Sequence, residues 1–218
     1  MQECRVMDLG VIDYIEALDV QRRIVKDVIS GKAPSTLLTC EHPHVITLSR
    51  RSRRENIIVN EAELKKWGVG VCCADRGGDV TYHGPGQIVL YPIFDLRKEK
   101  KDLHLYLRNL EQVVITTLRD NFGLNAHRKV GMTGVWVGPY KVASIGIGVK
   151  AWVSYHGFAL NVKTDKKYFS LIKPCGLDIP MASINDFFDD DVTIESVRGM
   201  LIENIKDVFN FNMQGVGR

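Results

Sequence analysis

The sequence predicts an α+β fold: a mixed, largely antiparallel sheet with packed helices, the helices lying on one face. Short apolar runs rich in β-branched residues crowd the middle of the chain, while helical periodicity is confined to both ends and one inserted segment. The regular strand–helix alternation of a dinucleotide-binding sheet is missing. At 218 residues the chain can bury most of its apolar surface without a disulfide or metal staple. No repeat, linker or low-complexity tract divides it, so residues 1–218 are expected to form a single domain.

Tyr14, Leu18, Val25, Val28 and Ile29 recur at helical spacing, so 14–29 reads as a helix that stops at Gly31. Thr36 to Cys40 and Val45 to Leu48 read as short strands, and Ile57 to Leu64 as a loop with a short helix. Val69 to Ala74 and Ile88 to Ile93 have the composition of buried strands. Leu103, Leu107, Leu110, Val114 and Leu118 form the inner stripe of the inserted helix. Strand character returns at Gly134 to Val137, Val142 to Val149 and Ser154 to Val162. A last helix, N-capped by Thr193, runs to about Phe209 on Ile194, Val197, Leu201, Ile205 and Val208.

A formal net charge of +3 is too small for a general nucleic-acid binder. Arg50, Arg51, Arg53 and Arg54 form the strongest basic run, but Glu55, Glu61 and Glu63 follow closely. The run is a solvated mixed-charge loop or a docking patch for an acidic partner. No stretch approaches the ~20 apolar residues of a membrane span. The start, Met1-Gln2-Glu3-Cys4-Arg5, does not read as a signal peptide. Five irregularly spaced cysteines point to free thiols in a reducing compartment, and a cytoplasmic location is expected. Cys72 and Cys73 are adjacent on a strand and face opposite sides, so they are no metal site.

Among residues with chemistry, Cys175 lies between Pro174 and Gly176, where the backbone is restrained and room is left beside the sulfur. Lys141 opens an apolar strand; it is an exposed strand-end lysine or one aimed into a cleft. His83-Gly84 and His156-Gly157 each follow a tyrosine and either line a pocket or hold a turn. His42-Pro43-His44 supplies two nitrogens but no third ligand. The glycines of 76–87 permit close ligand approach, yet the run is neither a phosphate loop nor a dinucleotide fingerprint. A serine-hydrolase nucleophile elbow is also missing.

Taken together, Glu41-His42-Pro43, the run from Arg76 to Gln87, Lys141-Val142-Ala143-Ser144-Ile145-Gly146, His156 to Asn161 and Pro174-Cys175-Gly176 resemble the lipoyl(octanoyl) transferase family over most of the chain. Two positions depart from that family's habit: Ser49 stands where glycine is frequent before Arg50, and His44 where a second proline is common. The resemblance implies a fold similar to the catalytic core of biotin and lipoate protein ligases. It implies transfer of an octanoyl group from acyl carrier protein to a lysine of a lipoyl domain, either of 2-oxoacid dehydrogenases or of the glycine cleavage H protein. By the same resemblance, Cys175 carries the acyl group and Lys141 lowers its pKa. Substrate binding falls to Arg76, Gly77, Gly78, Asp79, Val80, Thr81, Tyr82 and His83, to Ser144, Ile145 and Gly146, and to Gly157, Phe158 and Ala159. His156 is an additional pocket candidate.

No bound cofactor, ATP or metal is expected; the phosphopantetheine arrives on the carrier protein. No nucleic acid or membrane partner is expected, and the chain is expected to be a monomer. Val80, Ile145 and Phe158 are the expected lining of an acyl slot, and backbone N–H groups near Gly77-Gly78 or Cys175-Gly176 the expected oxyanion donors. Two rivals make different demands. An ATP-dependent lipoate or biotin ligase would adenylate a free acid and need no acyl-cysteine. A non-catalytic acyl-carrier-binding module would be indifferent to Cys175→Ser and Lys141→Ala.

Overall fold

The computed structural model describes residues 2–98, 101–174 and 178–217. Among these, the chain runs β1 (Gln2–Val11), α1 (Tyr14–Ile29), β2 (Ser35–Glu41), β3 (Val45–Ser49), α2 (Glu61–Lys66), β4 (Gly70–Ala74), β5 (Thr81–His83) and β6 (Gln87–Ile93). It continues through α3 (Leu103–Phe122), β7 (Ala126–Lys129), β8 (Met132–Val137), β9 (Tyr140–Lys150), β10 (Val153–Asn161), α4 (Ile194–Phe209) and β11 (Phe211–Gly217). No helix among the described residues is long and apolar enough to cross a membrane.

The helices begin where side chains satisfy their first amides. Asp13 accepts from the Ile15 N–H at 2.8 Å to start α1, and Thr193 accepts from the Ser196 N–H to start α4. Asn60 and Glu63 close a reciprocal box around the first turn of α2. Helix α3 outruns the apolar stripe that ends at Leu118. It continues for an exposed turn and stops at Gly123, whose φ of +62° no other residue adopts as cheaply.

Eight strands form one sheet in the order β11-β1-β2-β6-β10-β9-β8-β7. The β11–β1–β2 pairs are parallel and the other pairs antiparallel, so the sheet is mixed and largely antiparallel. A second sheet, β4-β3-β5, stands beside it.

Helices cover both faces of the large sheet, not one. Leu37, Ile88, Leu90, Phe158 and Leu160 pack with Leu110, Val114 and Leu118 of α3 and Val197, Leu201 and Ile205 of α4. Their sequence neighbours Leu38, Val89 and Ala159 point the other way, onto Ala17, Ile24, Val25 and Val28 of α1. Strand β6 reads as an unbroken apolar run for this reason: both of its faces are covered.

Candidate active site

A cavity of about 490 Å³ opens between the glycine-rich segment, strands β9 and β10, and the described returning residues 169–174 and 178–181. Register brings the distant motif pieces together. Ala159, Phe158 and Gly157 of β10 lie opposite Ser144, Ile145 and Gly146 of β9, and all six line the cavity. The glycine-rich segment leaves β4 and enters β5 across them. The Gly77 N–H donates to the Ile147 carbonyl at 2.8 Å, and a Cβ on Gly146 would lie 2.7 Å from the Gly77 oxygen. Only glycine at 146 allows that approach. The Gly77 amide is thereby committed to β9 and drops out of the expected oxyanion donors.

Arg76, Gly78, Asp79, Val80, Thr81, His83, Lys141 and His156 also line the cavity. Val80, Ile145 and Phe158 supply a buried apolar wall. Gly77 and Tyr82 are not among the lining residues. The Tyr82 ring stacks on Tyr168 and meets Phe169 edge-on in the core of the small sheet, with its hydroxyl 2.7 Å from His44 Nδ1. Arg76 is anchored by its Nη2, which donates to the Thr47 carbonyl at 2.9 Å and the Thr47 hydroxyl at 2.7 Å.

The histidines both line the cavity and hold structure. His83 donates from Nδ1 to Gln87 Oε1 at 2.8 Å; Gln87 Nε2 donates to Asn161 Oδ1, and Asn161 Nδ2 to the Ala182 carbonyl. Burial pushes the His83 ring down to about 3, so it is neutral. His156 sits mid-strand at φ +55°, a conformation rare for a side-chain-bearing residue, with its N–H given to Gln21 Oε1. Its Nε2–H donates to Asp75 at 3.0 Å, and Tyr155 donates to the same carboxylate at 3.0 Å. These bonds hold the Asp75 carboxyl well below the usual carboxylate range. Burial lowers His156 against the pull of Asp75, leaving a neutral ring beside a charged acid. His42 gives Nδ1–H to the Ile12 carbonyl and accepts from Tyr91 at Nε2, so both its nitrogens are engaged. No group of three His, Cys, Asp or Glu side chains among the described residues is placed to hold a metal ion.

Cys175, with Gly176 and Leu177, lies outside the described residues. The chain on either side is well anchored. Pro174 and Asp178 both line the cavity. Upstream, Ile172 bridges to Ile57 and the Lys173 N–H donates to the Asn56 carbonyl. Downstream, the Lys141 N–H donates to the Pro180 carbonyl at 2.8 Å, and the Ala182 N–H donates to the Lys141 carbonyl at 3.0 Å. On the downstream side, the described residues Pro180 and Ala182 are therefore bonded to the backbone of Lys141 itself. Of the basic run, Arg50 reaches Asp75 at 3.7 Å, while Arg53 and Arg54 pair with Glu55 and Glu61.

Tyr14, Tyr91 and Met181 also line the cavity, and Asp75 bonds the lining His156; none of these was singled out from sequence as a site residue. Asp75 alone carried a usable signal, as an acid directly before the glycine-rich run.

An eight-stranded mixed sheet with a lysine-edged cavity along β9 and β10 defines a class, and sequence comparison agrees. The chain belongs to the lipoyl protein ligase A/B catalytic domain family, whose profile matches residues 13–206. Curated relatives over nearly the full length are octanoyltransferases. That of Solibacter usitatus is 49% identical over 184 residues, covering 84% of this chain and 83% of the relative. That of Caldicellulosiruptor bescii is 45% identical over 212 residues, covering 96% and 93%.

Among solved structures, a lipoate-protein ligase A bound with ATP superposes with a TM-score of 0.82 at 20% identity, covering 97% of this chain and 87% of that one. The biotin protein ligase of Aquifex aeolicus with biotin and ATP gives 0.58 at 13% identity, covering 96% and 71%. These two likenesses establish the shared fold.

Proposed function

We propose that this chain is an octanoyltransferase of lipoate biosynthesis, a single catalytic domain over residues 1–218 that acts in the cytoplasm. The donor is octanoyl acyl carrier protein and the acceptor a lysine of a lipoyl domain. One observation carries the assignment to these residues: Lys141 lines the same cavity as Pro174 and Asp178, and its backbone is bonded to Pro180 and Ala182. The identity to curated octanoyltransferases supports the acyl group.

In this reading the Cys175 thiolate attacks the octanoyl thioester carbonyl. A tetrahedral intermediate forms and collapses, the phosphopantetheine thiolate leaves and takes its proton from the Lys141 ammonium, and an octanoyl-Cys175 thioester and a neutral Lys141 remain. The Lys141 ammonium favours the thiolate by charge. The acceptor lysine then attacks as a neutral amine, Cys175 leaves as thiolate, and Lys141 in its neutral form accepts the proton lost by the amine. An amide replaces a thioester, so the second step runs downhill without ATP. Val80, Ile145 and Phe158 take the acyl tail, whose six or so methylenes contribute roughly 5 kcal/mol at about 0.8 kcal/mol each before ordering costs. Their apolar wall also keeps water from the thioester.

Intact-mass measurement after mixing the protein with octanoyl acyl carrier protein, without ATP, tests this. An adduct of about 126 Da on Cys175 is expected, lost in Cys175→Ser. No adduct, with transfer strictly dependent on ATP, overturns the reading in favour of ligation.

A further inference from the structure

Lys141 has a built seat outside the residues assigned so far. Trp136 of β8 lies directly opposite it in the β8–β9 ladder, and the Lys141 Nζ stands 5.2 Å from the centre of the Trp136 ring. The indole is fully buried, which fixes the ring and removes competing water from it. Gly134, two residues away on the same face of β8, leaves space for the lysine stem. A Cβ at Gly134 would lie 2.6 Å from Lys141 Cε and 2.7 Å from the Ala143 carbonyl oxygen, at a φ of +143° that side-chain-bearing residues rarely adopt.

The seat is anchored from behind. Glu111 of α3, completely buried, accepts the Gly134 N–H at 3.1 Å and is held by Arg108 at 2.6 Å and Arg128 at 2.9 Å. A second ammonium, Lys129, stands 5.6 Å from the same ring and donates to the Pro139 carbonyl.

We propose that Trp136 is a positioning residue for acyl transfer, its ring face holding the Lys141 ammonium at the cavity wall while Gly134 and Glu111 keep the path of the lysine stem open. This rests on the reading of Lys141 given above. The ring's negative face attracts the cation and does not touch the acyl group. Weakening that face therefore slows the step Lys141 promotes and leaves donor binding alone.

The test replaces Trp136 site-specifically with mono-, di- and trifluorinated tryptophan, which keep the shape and drain the ring face. The single-turnover rate of octanoyl loading is expected to fall stepwise, roughly three- to tenfold across the series, with donor KM unchanged. In a Lys141→Ala background the same series is expected to leave the residual rate level. A flat or rising series in the parent, or an equal fall in the Lys141→Ala background, overturns the role of Trp136. Lys141→Ala loading at the parent rate overturns the reading of Lys141 itself, and the positioning role with it.

Discussion

The Nε2–H of His156 donates to the Asp75 carboxylate across 3.0 Å, stitching β10 to the segment that carries Arg76. Each residue directly precedes one that lines the cavity, Arg76 after Asp75 and Gly157 after His156. Asp75→Asn removes the charge and leaves an amide facing the His156 and Tyr155 donors. It is expected to destabilise the protein by about 1–2 kcal/mol and to raise the donor KM. Urea denaturation and steady-state kinetics on the variant check both; unchanged values of each would remove the pair from the cavity wall's support.

Stability is expected to fall as pH drops through the weakly acidic range. His83 is held near 3 in the folded protein, while an unfolded histidine titrates near 6.5. Between those values the unfolded chain binds the extra proton, so the contribution is complete above about 6.5 and is lost as pH falls towards 3. His156, also lowered, acts in the same direction, and Asp75 adds its loss below about 4. From pH 6.5 to 5 the His83 share alone is about 2 kcal/mol. His83→Asn, which keeps an N–H donor for Gln87, should show a shallower slope in denaturation midpoints across that interval.

Chain-length preference should answer to Val80. The residue is buried and lines the cavity with Ile145 and Phe158. Val80→Phe shortens the slot, so kcat/KM for octanoyl donors should fall relative to hexanoyl donors by about tenfold or more, each methylene being worth about 1–3 kcal/mol. A ratio unchanged from the parent would place the acyl tail elsewhere.

The basic run should act on encounter and not on chemistry. Arg50 reaches the Asp75 that braces the cavity wall, and the run is widely exposed. Neutralising Arg50, Arg51, Arg53 and Arg54 together should slow association with an acidic carrier protein at low salt, with the difference shrinking as salt screens it. Stopped-flow association at two ionic strengths measures this. An unchanged low-salt rate would leave the run as a mixed-charge loop, as the Arg53–Glu55 and Arg54–Glu61 pairs suggest.

The helices were legible because their signals are local. Tyr14 to Ile29 and Thr193 to Phe209 carry both the apolar period and the cap, and the structure follows them closely. Strand β1 was missed although exposed Glu3 and Arg5 alternate with buried Cys4 and Val6, because that alternation is short and ends at Asp8; the strand exists through parallel pairing with β2 and β11, partners far away in sequence. Strand β11 has Asn, Gln and Gly where a strand favours branched residues, and it too depends on that pairing. The second covered face of the sheet was hidden for a related reason, since an all-apolar run such as β6 does not say what lies on either side. At the site, the motif segments were visible, but Trp136 and Glu111 were not. An indole in a strand or a carboxylate in a helix looks like ordinary packing until the fold places Trp136 against Lys141 and Glu111 behind Gly134.

Ile172 and Met181, on either side of Cys175 in sequence, are fastened to different sheets. One is bridged to Ile57, in the apolar layer of the small sheet, and the other to Lys141, near the far edge of the large one. Any slip of one sheet past the other changes the distance between Ile172 and Met181, so a substitution that loosens either bridge should lower the reaction rate with the Lys141 side chain intact.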